Sequence, residues 1–185
     1  MQHLDTAAIE AGLPHVRLAP PDGGTLELIV RRPAVDEREV LDEGQLSLDH
    51  GLVGDTWRER PSGRTDDGSA HPEMQLNIIN ARFAALIAPT RDHRALAGDQ
   101  LHVDLDLSEA NLPPGTRLAI GSAVIEVTAQ PHTGCAKFSA RFGGDALRYV
   151  NSPIGKELHL RGINAKVVQP GTIRTGDRIT KVATD

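Results

Sequence analysis

Residues 117–127 read RLAIGSAVIEV and run directly into TAQPHTGCAKFSARFGGDALRY, residues 128–149. The first part is the clearest β-hairpin of the chain. Arg117 to Ile120 and Ala123 to Val127 flank Gly121-Ser122, and Gly followed by Ser suits the two-residue turn that needs a positive φ at its first position. The second part breaks the alternation. After Thr128, Pro131 and Gly134 force a turn that carries the only cysteine, Cys135, with His132 before it and Lys137 and Arg141 after it. A thiol flanked by cations gives up its proton more readily, and the thiolate is the form that attacks electrophiles and binds soft metals. A lone Cys is more often a small buried hydrophobe. The Pro-His-Thr-Gly context argues otherwise, because a core filler sits inside an alternating strand more often than on a Gly/Pro turn.

Several pieces precede this segment in a fixed order: Gly51-Leu52-Val53-Gly54-Asp55, Gln75-Leu76-Asn77-Ile78-Ile79, Gly98-Asp99, Asn111-Leu112 with Pro114-Gly115-Thr116, Ile120-Gly121, and then Cys135. Their order over about Leu26 to Val182 resembles the MOSC domain, the C-terminal module of the molybdenum cofactor sulfurases, which also occurs as small stand-alone proteins. The resemblance implies a mostly β fold, a MOSC-type β-barrel with a few short helices. It also implies a bound molybdenum cofactor (molybdopterin) and a cysteine that ligates the molybdenum or carries sulfur. Many relatives have a Gly-Glu-Asn-Leu-like stretch where this chain has Leu107-Ser108-Glu109-Ala110-Asn111-Leu112, so no site role is carried over to Glu109.

Composition bounds the rest. The 185 residues suit one domain, expected over residues 25–185 after a lead-in at 1–24. Apolar residues at 39% and charged residues at 24% are those of a soluble globular protein, and no run approaches the roughly 20 apolar residues of a membrane span. MQHLDTAAIE has early acids and no apolar core, unlike a secretory signal, so a cytoplasmic location is expected. One Cys agrees with a reducing compartment. Aromatic residues at 3% are too few for nucleic-acid stacking platforms. From Thr128 onward there are nine Lys or Arg against four acids, a net +5, while the remainder carries -10. Such asymmetry suits an anion near Cys135, or simply a solvated basic face.

Along the chain, Leu26, Leu28 and Val30 alternate in a strand from Thr25 to Val30, stopped by Arg31-Arg32-Pro33. Asp36 to Glu43 is acid-rich, a short helix or exposed loop. Arg58 to His71 has the composition of a mobile loop, with a lid whose arginines (Arg58, Arg60, Arg64) meet a phosphate as the alternative. His50 and His71 match no zinc spacing and read as solvated. Met74 to Ile79 is a second strand, and Asn80 caps a helix that ends before Pro89. Leu101, Val103, Leu105 and Leu107 face in, with His102, Asp104 and Asp106 on a wet outer face. Pro114-Gly115-Thr116 and Pro170-Gly171-Thr172 read as matched barrel corners. Asp145 caps a short helix to Val150, Gly155 to Val168 returns as a strand, and Ile173 to Val182 closes the chain.

The resemblance makes Cys135 the metal ligand and catalytic thiol. His132, Thr133, Gly134, Lys137, Arg141, Lys156, Arg161 and Arg174 become candidates for holding the anionic cofactor. Molybdenum here already sits among sulfurs, so a further soft anionic donor suits it. Some relatives reduce N-hydroxylated compounds, and that oxidoreductase reaction is carried over, with a small-molecule substrate and an electron-transfer partner. The second reading is a sulfur carrier using a Cys135 persulfide. It requires a sulfur-donating desulfurase, because this chain has no room for a pyridoxal phosphate domain. A third reading is a non-catalytic β-barrel binding module. Neither nucleic acid nor membrane is expected as a partner.

Overall fold

The computed structural model describes residues 3–183. Strand β7 (Arg117–Ile120) turns at Gly121 and returns as β8 (Ala123–Val127), with Leu118 opposite Ile125 and Ile120 opposite Ala123. Gly121 has φ +56°, and a Cβ there would lie 2.2 Å from the Thr172 carbonyl oxygen, so the turn needs glycine for conformation and for space. The other strands are β1 (Gly24–Arg31), β2 (Glu39–Leu41), β3 (Glu43–Ser47), β4 (Gly51–Leu52), β5 (Leu76–Asn80), β6 (Leu101–Asp104), β9 (Ile163–Gln169), β10 (Gly171–Arg174) and β11 (Arg178–Val182).

Seven of them close a barrel in the order β11-β7-β8-β9-β5-β6-β1, with β1 pairing back onto β11 through Gly24 and Ile179; β2 extends outward from β1. The pair β5–β6 is parallel, and parallel neighbours need a crossover. Helices α2 (Ala81–Ile87) and α3 (Arg91–Ala95) supply it. As expected, Asn80 caps α2, its Oδ1 accepting from the Phe83 amide at 3.0 Å. A smaller sheet, β10-β3-β4, stands beside the barrel. Leu26, Ile78, Leu101, Leu118, Ile125 and Ile163 fill the barrel. A second apolar cluster outside it joins α1 (Thr6–Arg17), α2, α4 (Ala136–Phe142) and α5 (Gly144–Val150) through Ile9, Phe83, Phe138, Phe142 and Val150. Among the described residues no helix is long and apolar enough to cross a membrane.

The architecture is the expected mostly β barrel with short helices, but several local expectations are corrected. The lead-in contains α1: Asp5 accepts from the Ala8 amide at 2.8 Å, and Ile9, Leu13 and Val16 recur at helical spacing. Gly12 lets Leu86 approach where a Cβ would stand 2.4 Å from it. Strand β1 does not keep one face, because a bulge between Leu26 and Leu28 turns Leu28 and Val30 out against Ala95. Asp36 to Glu43 holds β2. The outer side of β6 is not wet: His102 is 1 % exposed, and Asp104 pairs with Arg82 of α2. Gly155 lies in α6 (Pro153–Glu157), capped by Ser152, and the following strand starts only at Ile163. Gly143, not Asp145, occupies the cap position of α5; Asp145 instead accepts from the Thr6 amide at 3.0 Å. The two Pro-Gly-Thr corners differ, since Gly115 has φ +90° whereas Gly171 opens β10 in extended backbone.

Candidate functional site

The segment from Thr128 to Gly134 is pinned along its length. Thr128 Oγ1 donates to the Glu73 carbonyl at 2.6 Å, and Asn164 Nδ2 donates to the Gln130 carbonyl at 3.0 Å. Asn151 clamps Gly134 from both sides, accepting from its amide at 3.0 Å and donating to its carbonyl at 3.3 Å. Gly134 is required for space: a Cβ would stand 2.7 Å from Leu147 and 2.9 Å from Val150. Cys135 follows as the residue preceding α4. Its thiol makes no cap hydrogen bond and is exposed. Thus the bland reading of a core cysteine does not describe this side chain.

Beneath the turn lies a charged core. Asp99 has no side-chain exposure; Arg161 Nη1 donates to both its oxygens at 2.7 and 2.9 Å, and His132 Nε2 lies 2.8 Å from Oδ1. Burial alone would raise the Asp99 carboxyl, but the Arg161 charge and then the His132 hydrogen bond hold it well below the usual carboxylate range. Burial pushes His132 down, and Arg161 adds to this against the pull of Asp99, so the ring is neutral and Nε2–H donates to the carboxylate. Arg161 also stacks on Phe138, 5.0 Å from the ring centroid, and its Nε is buried without a partner. His102, further into this core, is forced down to about 4 by burial, with both ring nitrogens unpartnered.

A second charged group flanks α4. Asp36, held at φ +61°, accepts from Lys137 Nζ and Arg141 Nη2, both at 3.0 Å, so the two cations following Cys135 share one carboxylate. Arg32, only 4 % exposed, donates to both oxygens of Asp55 at 2.8 and 2.7 Å. Between these pairs sit Arg38 and Arg60, which among the described residues have no carboxylate partner. Arg38 Nε is buried and unpartnered, and desolvation followed by the like charge of Arg141 lowers its pKa. Partial desolvation and the like charge of Arg32 bring Arg60 to about 10, although its side chain still reaches solvent. Arg32, Arg38, Arg60, Lys137 and Arg141 thus gather around two carboxylates, Asp36 and Asp55, an excess of positive charge that an anion would relieve.

The candidates read from the sequence therefore separate. Lys137 and Arg141 stand with Cys135 on α4. His132, Thr133, Lys156 and Arg161 line a cavity of about 270 Å³ between the 128–133 segment and α6. Gly134 is half-buried against Leu147 and Val150 of α5, and Arg174 lies on β10, paired with Glu43 at 2.6 Å. Sequence reading missed Arg38, Arg32, Asp55 and Asp99 as site residues, and it weighed Arg60 only as part of a loop. Asp55 and Asp99 did stand inside the ordered motifs, each one position after a glycine, which was the available signal.

A closed seven-stranded barrel with an exposed cysteine on a pinned rim turn defines the class of this protein. The MOSC domain profile matches residues 69–180, and the chain belongs to that family. Solved structures agree on the fold. The YuaD protein from Bacillus subtilis superposes with TM-score 0.63 at 18% identity over 88% of this chain and 97% of that one. YiiM from Escherichia coli gives TM-score 0.55 at 20% identity over 87% of this chain and 71% of that one. The comparison with curated proteins returns no match.

Proposed function

We propose that this protein binds the molybdenum cofactor, with the Cys135 thiolate as the protein's ligand to molybdenum and the basic group beside α4 holding the cofactor's phosphate. The observation that carries the reading is an exposed thiol at the start of α4, whose Lys137 and Arg141 share the single carboxylate of Asp36 while the neighbouring Arg38 is buried at Nε without a partner. The donor set fits the group: one soft sulfur for a metal already bound by sulfur, and Arg38 and Arg60, together with Lys137 and Arg141, for a phosphate. When bound, the cofactor would supply two-electron redox chemistry, and reduction of N-hydroxylated compounds is the reaction proposed. This chain's residues bind and orient: Asn151 fixes the turn, Asp99 and Arg161 brace the floor beneath it, and Asp36 must yield Lys137 and Arg141 to an incoming phosphate. An electron-transfer partner is then required.

Metal analysis of the purified protein, combined with fluorescence of the oxidised pterin, tests this. Molybdenum and pterin should be present together, metal should be lost in Cys135→Ser, and pterin should fall in the double variant Arg38→Met/Arg60→Met. Protein that takes up neither when offered the cofactor would overturn the reading. The exposure of Cys135 favours one alternative, a sulfur carrier. A mass gain of one sulfur on Cys135 after incubation with a desulfurase, without molybdenum, would identify it.

A further inference from the structure

We propose that the cavity lined by His132 is a small-molecule site whose occupant is a largely apolar molecule of one or two rings presenting an N–H or O–H donor to Nδ1 of His132. Its walls include Leu112, Val127, Val150 and Ile163, and its volume of about 270 Å³ falls just below the ~300 Å³ at which drug-sized pockets begin. The polarity of the imidazole follows from its partner. Asp99 is a fully buried carboxylate with acceptors only, so His132 must spend its one proton on Nε2 and turn a lone pair outward from Nδ1. Arg161 holds both oxygens of Asp99, which prevents the ring from exchanging roles. Nδ1 has no hydrogen-bond partner among the described residues, and the 12 % of the side chain left exposed belongs to a ring that lines the cavity. Gly162, at φ +108°, makes room for the ring: a Cβ there would stand 3.2 Å from His132 Cδ2. Lys156 and Glu109, both exposed, put one positive and one negative side chain at the lining.

The inference rests on the cofactor reading only in calling the occupant a substrate; its binding needs no cofactor. The segment bearing His132 continues to Cys135 three residues later, but Cys135 is not among the residues that line the cavity. The test uses indole and 1-methylindole, which share a ring and differ in the N–H donor. Saturation-transfer NMR on the full chain should show indole binding, with 1-methylindole about three- to tenfold weaker, as the loss of one hydrogen bond predicts. His132→Phe should abolish that difference, and Thr133→Trp, an exposed lining residue enlarged to fill the cavity, should abolish binding of both. Failure of indole to bind at millimolar concentration, equal binding of the two probes, or undiminished binding in Thr133→Trp would each overturn the proposal. The same titration on Cys135→Ser should be unchanged, so loss of the cofactor reading in the metal assay leaves this result separately readable.

Discussion

Asp99→Asn is the perturbation whose size can be worked out from the buried charge network. Asp99 is fully buried and Arg161 is 9 % exposed in its side chain, so neutralising the carboxyl leaves a guanidinium inside the protein without counter-charge. Breaking one side of a buried pair costs about 3–5 kcal/mol. For a chain of this length each kcal/mol lowers Tm by about 2–4 °C, so the expected drop is about 6–20 °C. The assay is urea unfolding at pH 7 followed by fluorescence of Trp57, the only tryptophan, which is 9 % exposed. The paired variant Asp99→Asn/Arg161→Met removes both charges and should recover most of the loss, giving a coupling of about 2–4 kcal/mol across the cycle. A single-variant cost below ~1 kcal/mol, or a double variant as unstable as the sum of the singles, would refute the reasoning.

Three further outcomes are expected. His102 has a folded pKa lowered to about 4, so as pH falls below 6.5 the unfolded chain takes up the proton first. Stability from this group is complete above pH 6.5 and declines towards pH 4, by about 2 kcal/mol between pH 6.5 and 5. His102→Leu should remove that much of the slope in urea midpoints measured at pH 7 and 5; an unchanged slope would place the acid sensitivity elsewhere. Asn80→Ala removes the cap of α2 and the 2.9 Å bond to the Leu105 carbonyl, and should cost about 1–3 kcal/mol in the same assay. Arg38→Met should raise the Tm of cofactor-free protein by relieving like-charge repulsion while weakening cofactor retention; a fall in Tm would mean that Arg38 is held by contacts rather than strained by charge.

Much of the barrel was legible because the evidence for it is local. Gly121-Ser122 announces its turn, Asn80 its helix, and alternation marks β5 and β8. What escaped depended on partners distant in sequence. Nothing near Glu27 signals the bulge that reverses Leu28, and His102 looked solvated because the helices that cover it are joined to β6 only by the parallel crossover. The same holds for the site. Cys135 could be picked out from its own turn, whereas Arg38 and Arg60 acquire meaning only when Arg32, Asp55 and Arg141 converge from separate segments. From sequence alone Gly12 falls in a lead-in and Gly155 at the start of a strand, but the fold places both in helices and uses each for close approach.

The seam between β1 and β11 sets an order of events during synthesis. Gly24 and Thr25 wait for Ile179 and Arg178, some 150 positions later, before the last gap can zip shut. No portion emerging early from the ribosome can complete the cylinder, and long-range pairing of this kind makes for refolding on a millisecond-to-second scale. A translation product arrested before Arg178 would present an open strand edge, a ready template for self-association that chaperones would have to shield.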